Sequence, residues 1–279
     1  MTHHSTTYSN HSTAHSNHLP HTPPQLRALD FGGGPFANHT VVMTHRNDPD
    51  NVDHAFTMVT FPGFIGVITG VAQNGVGVSE KVWMTYDERS IQPGNYHGQA
   101  DTFALRYILQ YSKSKEEAVA YLQSIKRTWA MWIGVGDFAS QELNLVGYKE
   151  ESALAYTDVT MPPMNGQPYL ESIAYVDKHP QPSHDGPNGT LPTALQSFYG
   201  QISLDTTKQI VQYHQTGDLH AAAYDFTAKE MTLTIGRINA EGNYYPETVD
   251  DAPPVDKCEW CAYNRPWLKF DLTALWTGN

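Results

Sequence analysis

Between Phe61 and Trp83 the chain reads FPGFIGVITGVAQNGVGVSEKVW, uncharged until Glu80 and punctuated by Gly63, Gly66, Gly70, Gly75 and Gly77. Its other positions are dominated by Val, Ile and Thr, which favour pleated backbone. The glycines mark bends or places where another segment comes close. Asn74-Gly75 is a strong hairpin signal. The stretch therefore predicts two buried strands, Ile65–Gly70 and Gly75–Val82, joined by a tight turn at Gln73-Asn74-Gly75. It is too interrupted to cross a bilayer, since a spanning helix needs about 20 consecutive apolar residues.

The flanking sequence extends this core with more strands and two helices. Thr40–His45 and Ala55–Thr60 read as strands around a polar Arg46–Val52 turn. Asp101 is placed to cap a run in which Phe103, Ala104, Tyr107, Ile108 and Tyr111 recur at helical spacing. Ser114 followed by Glu117 is a capping box for a second helix with Ala118, Tyr121, Leu122 and Ile125 on its apolar face. The period then returns to two: Trp129–Asp137 and Glu142–Tyr148 form a hairpin, and Ala153–Thr157 and Ser172–Val176 read as further strands. Short helices are expected at Thr193–Tyr199 and Thr206–His214, a last hairpin at Asp218–Phe226 and Met231–Ile238, and a terminal helix near Phe270–Trp276. Strands and helices do not alternate as a parallel sheet requires. The order suits an α+β architecture of four layers, two antiparallel sheets flanked by helices.

Composition narrows the partners. A formal charge of −12 opposes binding to nucleic acid or to an anionic membrane surface. Residues 1–27, rich in His, Ser, Thr and Asn, lack the large aliphatic side chains that would offset the entropy of ordering, and read as a disordered leader before a domain at 28–279. No signal peptide is visible, so the default expectation is a cytoplasmic protein. Three triplets at Asn10, Asn38 and Asn188 fit the glycosylation pattern without deciding the compartment. Cys258 and Cys261, the only cysteines, are read equally as a disulfide or as two ordinary thiols. A zinc site would need two further ligands that the neighbourhood lacks. Neither a metal nor a cofactor is expected.

Four blocks, taken in order, carry a family resemblance: FPGFIGVITGVAQNGVGVSEKVW, DTFALRYILQYSKSKEEAVAYLQ, TWAMWIGVGDFASQELNLVGY and GDLHAAAYDFTAKEMTLTIGR, with AYNRPWLKFDL as a tail. From about residue 40 to 238 the chain resembles the N-terminal-nucleophile hydrolases, most of all the isopenicillin N acyltransferase-like group, with choloylglycine hydrolases and acid ceramidases further off. The resemblance implies stacked antiparallel sheets between helices and a Cys at the start of the first strand, whose own α-amine is its base. Such an amine titrates near pH 8 and accepts the thiol proton without a separate His. It further implies an acyl-enzyme formed from a non-peptide amide or a thioester, an orienting Arg and Asp, and oxyanion donors. The implied partner is a small-molecule acyl or amide substrate.

The nucleophile is where the chain departs from that pattern. No Cys precedes the glycine-rich strands. Arg46-Asn47-Asp48 is similar to the family's Arg-Asn-x-Asp element, but Pro49 stands where Asp should, and a turn explains it. Loss of Met1 would expose Thr2, an N-terminal nucleophile of a known type, on a leader with nothing to preorganise it. The expectation is therefore an incomplete member, with its nucleophile segment on another chain, truncated or lost. An incomplete N-terminus implies a complementing chain or self-association. The alternative is a non-catalytic binding or scaffold protein that keeps the fold. The remaining site candidates each carry a plain structural explanation. His179 could be a pocket acid or base, or a surface-loop histidine. Asp218 and His220 share a strand face and could join Asp225 in a polar cluster inside the sandwich, or lie on the solvated side of an edge hairpin. Trp83, with Trp129, Trp132, Tyr86 and Tyr96, suits an acyl pocket or an aromatic core. Glu80 could pair with Lys81 at a pocket mouth, and Arg265 could clamp a carboxylate or tie down the tail. Asp137 reads as a turn residue.

Overall fold

A computed structural model describes residues 24–29, 36, 38–47, 54–83, 97–161, 169–176, 191–214, 217, 219–237 and 259–278. Two antiparallel sheets form its centre. The larger is a seven-stranded meander of β2 (Val41–His45), β3 (Phe56–Thr60), β4 (Thr69–Ala72), β5 (Val76–Val82), β6 (Ala130–Asp137), β7 (Leu143–Lys149) and β8 (Ser152–Tyr156). The smaller has the order β1 (Gln25–Leu29), β9 (His220–Asp225), β10 (Glu230–Ile235) and β11 (Leu268–Asp271). Helices α1 (Asp101–Tyr111) and α2 (Lys115–Ser124) cover the outer face of the large sheet, burying Ala104, Leu105, Ile108, Leu109, Ala118 and Leu122 against Phe56, Met58, Val78, Ile133 and Val146. Helix α4 (Leu204–His214) packs on the outer face of the small sheet through Val211 and Ala221, and joins α3 (Leu191–Ser197) in a second cluster around Ala194, Leu195 and Ile210. Between the sheets, Val59 and Val71 meet Ala222, Tyr224, Phe226, Met231 and Leu233, with Leu272 and Trp276 of α5 (Leu272–Thr277) closing one side. This is the expected four-layer α+β sandwich.

Local chemistry explains the elements. Asn74 Oδ1 accepts from Val76 N–H, and Gly75 takes φ +99°, a conformation that L side chains rarely adopt, so the β4–β5 turn is built as read. Ser114 caps α2 by accepting from Glu117 N–H, and the Glu117 carboxylate accepts from Lys113 N–H. Asp137 is a turn residue: Oδ1 accepts from Ser140 N–H and Oγ–H, and Oδ2 from Lys115 N–H. Those bonds hold its carboxyl below the ordinary carboxylate range although burial pushes the other way.

Several expectations are corrected. Strand β1 begins at Gln25, so the expected leader boundary at residue 27 falls inside a strand. The strand expected at Ile65–Gly70 starts only at Thr69, because Val67 N–H bonds to Thr102 O of α1 and Ile65 points to solvent. Ser172–Val176 forms no strand; Ser172 has φ +59°, a single bridge joins Leu170 to Ile173, and Ile173 and Tyr175 pack against the α3–α4 pair. Asp101 is the first helical residue rather than the cap, which is Ala100. The tail adds strand β11 before its helix. Among the described residues each sheet is continuous; the edges are β1 and β11 in one sheet and β2 and β8 in the other. Cys261 is disulfide-bonded, which selects the first of the two cysteine readings, while Cys258 lies outside the described residues. Among the described residues no helix is long and apolar enough to cross a membrane.

Candidate functional site between the sheets

Glycines let the two sheets approach. Gly77 and Gly136 are cross-strand partners in β5 and β6, and Ser79 faces Gly134 one step along. A β-carbon on Gly77 would stand 2.4 Å from Phe226 Cε1, and one on Gly136 3.1 Å from Phe226 Cε2, so the ring seats directly on backbone. The glycine pattern of the sequence is thus a docking floor for the small sheet. Gln25, at the start of β1, lies on the same floor. Its Nε2 donates to Ser79 Oγ at 2.8 Å and to Gly134 O at 3.4 Å.

Two residues further along β1, Arg27 enters a buried ionic cluster. Its guanidinium pairs with the Glu80 carboxylate at 2.5 Å, and both side chains are over nine-tenths buried. Glu80 lies beyond the last β4 partner of β5, Ser79, and its N–H bonds to Ile68 O. A second Arg27 nitrogen lies 2.9 Å from His220 Nε2. Arginine can only donate, so Nε2 must be the unprotonated ring nitrogen. The ring proton is then on Nδ1, which faces Thr40 Oγ1 at 3.2 Å. Burial, with Arg27 adding to it, holds the His220 pKa well below the ordinary histidine value. His220 is a neutral acceptor for arginine, with no lone pair left to serve as a base. Phe61 covers it at 5.8 Å between ring centroids, and Phe36 covers Phe61 at 4.9 Å. Deeper between the sheets, Tyr224 Oη shares a hydrogen bond with Thr69 Oγ1 at 3.1 Å, and burial raises its pKa.

Asp101, in the first turn of α1 on the outer side of the large sheet, feels the charge of Glu80. Burial first, and the charge of Glu80 second, push its pKa up to about 6, against the opposing pull of backbone N–H bonds. A carboxyl in that range exchanges protons at neutral pH.

The sequence candidates separate under this geometry. His220 and Glu80 come together through Arg27; His220 is fully buried, which selects the interior over the solvated face. Asp225 is not in that cluster: its carboxylate accepts from Thr227 and Ala228 N–H in the β9–β10 turn. Glu80 pairs with Arg27 inside the protein rather than with Lys81 across a pocket mouth. Trp83 packs on Trp132 at 4.3 Å, on the strand face that also carries Gly134, with Gly147 leaving room beneath both rings. Arg265 secures the tail through its backbone, its carbonyl accepting from Thr234 Oγ1 and its N–H bonding to Ala262 O. Arg46 lies against Gly278 at the C-terminal cap of α5. His179, Asp218, Tyr86 and Tyr96 lie outside the described residues. Sequence reasoning missed Gln25, Arg27, Ser79 and the carboxyl role of Asp101. The one available signal was two polar residues alternating in QLRAL. Among the described residues no group of three or more His, Cys, Asp or Glu side chains is placed to hold a metal.

No protein-family model matches the chain. Two Dictyostelium discoideum proteins are similar to it over nearly all its length. Protein dcd1B is 31% identical over 262 residues, covering 91% of this chain and 49% of that protein. Protein dcd1A is 30% identical over 265 residues, covering 90% and 56%. The chain spans about half the length of these curated relatives. Among solved structures, the Caenorhabditis elegans ortholog of N-acylethanolamine-hydrolyzing acid amidase superposes with a TM-score of 0.50 at 14% identity, over 73% of this chain and 87% of that one. A point mutant of conjugated bile acid hydrolase from Clostridium perfringens does so with a TM-score of 0.50 at 10% identity, over 77% and 86%. The chain has the fold of the N-terminal-nucleophile hydrolases.

Proposed function

We propose that this chain is the body of an amide-hydrolysing or acyl-transferring protein, acting in its complete form on non-peptide C–N amides or thioesters through an acyl-enzyme. We propose further that the described residues do not supply its nucleophile. One observation carries this reading: neither β1, whose Gln25 side chain points between the sheets, nor β2 contains a Cys. A carboxamide does not attack a carbonyl. The neighbouring Ser79 Oγ accepts from Gln25 Nε2, and no described side chain is bonded to it as a base. The His220 lone pair is taken by Arg27. Asp101, near-neutral and partly exposed, is the described group best suited to carry a proton for such chemistry. The substrates named for the two similar hydrolases, an N-acylethanolamine and a conjugated bile acid, set the class to test.

The test is acyl release from small amides and acyl thioesters by this purified chain and by the product of any longer reading frame containing it. The expected result is no release by this chain and release by a product carrying an upstream Cys followed by Arg and Asp. Release by this chain that is lost in Ser79→Ala would overturn the incompleteness. Silence from both products would favour a binding or scaffold protein, the reading to which the mutually neutralised Arg27–Glu80 pair lends support.

A further inference from the structure

The surroundings of Gln25 resemble those of a bound ligand more than those of a strand residue. Its side chain is 4% exposed, and its Oε1 has no hydrogen-bond partner. Its Nε2 meets two acceptors contributed by one cross-strand pair, Ser79 Oγ at 2.8 Å and Gly134 O at 3.4 Å. The floor beneath the carboxamide is made of glycines. A β-carbon on Gly77 or Gly136 would stand 3.0 or 3.4 Å from Oε1, and one on Gly134 3.2 Å from Nε2. The carboxamide shares Gly77 and Gly136 with the Phe226 ring, their nearer neighbour, and Gly134 with Ser79 Oγ.

We propose that this is a carboxamide-binding slot whose resident is the chain's own Gln25 side chain, and that it takes a free primary carboxamide once that side chain is removed. The chemistry selects the ligand. Gly134 O can only accept, so the ligand must bring a donor, which a primary amide does at neutral pH; a carboxylate would set oxygen against oxygen in a buried place. The glycine floor admits a flat group and excludes a tetrahedral one. The inference goes beyond the acyl-transfer reading and does not depend on turnover, so either can fail alone.

Gln25→Ala in the full chain removes a CH2–CONH2 unit, the heavy atoms of acetamide. The variant should melt below the parent protein. Acetamide at ten times its dissociation constant should then raise its melting temperature by about 3–6 °C relative to the same addition to the parent. By equilibrium binding, acetamide should be preferred to acetate and to isopropanol by about tenfold, the value of one net hydrogen bond, and Ser79→Ala in the Gln25→Ala background should remove much of that preference. Equal response of parent and variant, or equal binding of acetate, would overturn the proposal. Gln25→Glu provides a second route if the alanine variant does not fold. Its carboxylate faces Gly134 O, whereas its acid form restores a donor, so its deficit in melting temperature against the parent should shrink between pH 7.5 and pH 4.5. A deficit independent of pH would refute the slot.

Discussion

Replacing Arg27 by Met tests the ionic cluster that joins the two sheets. Met keeps an apolar stem of similar reach and removes only the charge and its donors. Three acceptors then lose their partner: the Glu80 carboxylate, the Glu80 carbonyl and His220 Nε2. Both ionised side chains are at most 8% exposed, so solvent cannot take over from the lost guanidinium. Breaking a buried pair from one side costs about 3–5 kcal/mol, against about 1 kcal/mol or less for an exposed pair. For a chain of this size that is a fall of roughly 6–20 °C in melting temperature. Removing both charges behaves differently, because no buried ion is left without a partner. Arg27→Met/Glu80→Met should recover at least half of the loss, giving a coupling of about 2 kcal/mol or more in the double-mutant cycle. Urea unfolding followed by tryptophan fluorescence, on the parent, both single variants and the double, supplies the four free energies. A single-variant cost below about 1 kcal/mol, or strict additivity, would mean that the cluster is wet and that β1 is not held as described.

Three further outcomes are expected. Folding raises the Asp101 pKa from 3.8 to about 6, so the folded state keeps a proton that the unfolded chain releases, and this contribution is full below pH 3.8 and lost as pH rises through 6. Asp101→Asn should therefore stabilise the protein at pH 7.5 by up to about 3 kcal/mol and do little near pH 3.5, as read by urea unfolding at the two values. His220 has the opposite sign, losing stability as pH falls below 6.5 because the buried ring refuses the proton, but it is common to both proteins and cancels in the difference. Gly77→Ala places a β-carbon 2.4 Å from Phe226 and should cost about 1–3 kcal/mol in thermal unfolding, with Phe226→Leu recovering part of it. Ser114→Ala removes the α2 cap and should cost about 1 kcal/mol in the same assay, with no change in the behaviour of the intersheet site.

What was legible in the sequence followed the apolar period. Val76, Val78, Ile133, Val135 and Val146 announce central strands because one face must meet the helices, and the Asn74-Gly75 turn announces how two of them join. Strand β1 escaped because its pattern is inverted at the site. Gln25 and Arg27 are buried in the protein, while the partly buried Leu26 and Ala28 pack on Val211 and Ala221, so a strand covered on both faces reads as half polar. Ser172–Val176 misled for the complementary reason: its alternation serves packing on helices and not a ladder. Asp101 looked like a cap because Asp favours helix starts; its proximity to Glu80 comes from how α1 docks beside the end of β5, a long-range fact that local spacing does not contain.

Intact-mass spectrometry of the purified chain after incubation with an acyl thioester tests the central claim most directly. A chain without a nucleophile among its described residues should show the unmodified mass alone. A stoichiometric acyl adduct that maps to Ser79, or to Thr2 after loss of Met1, would contradict it.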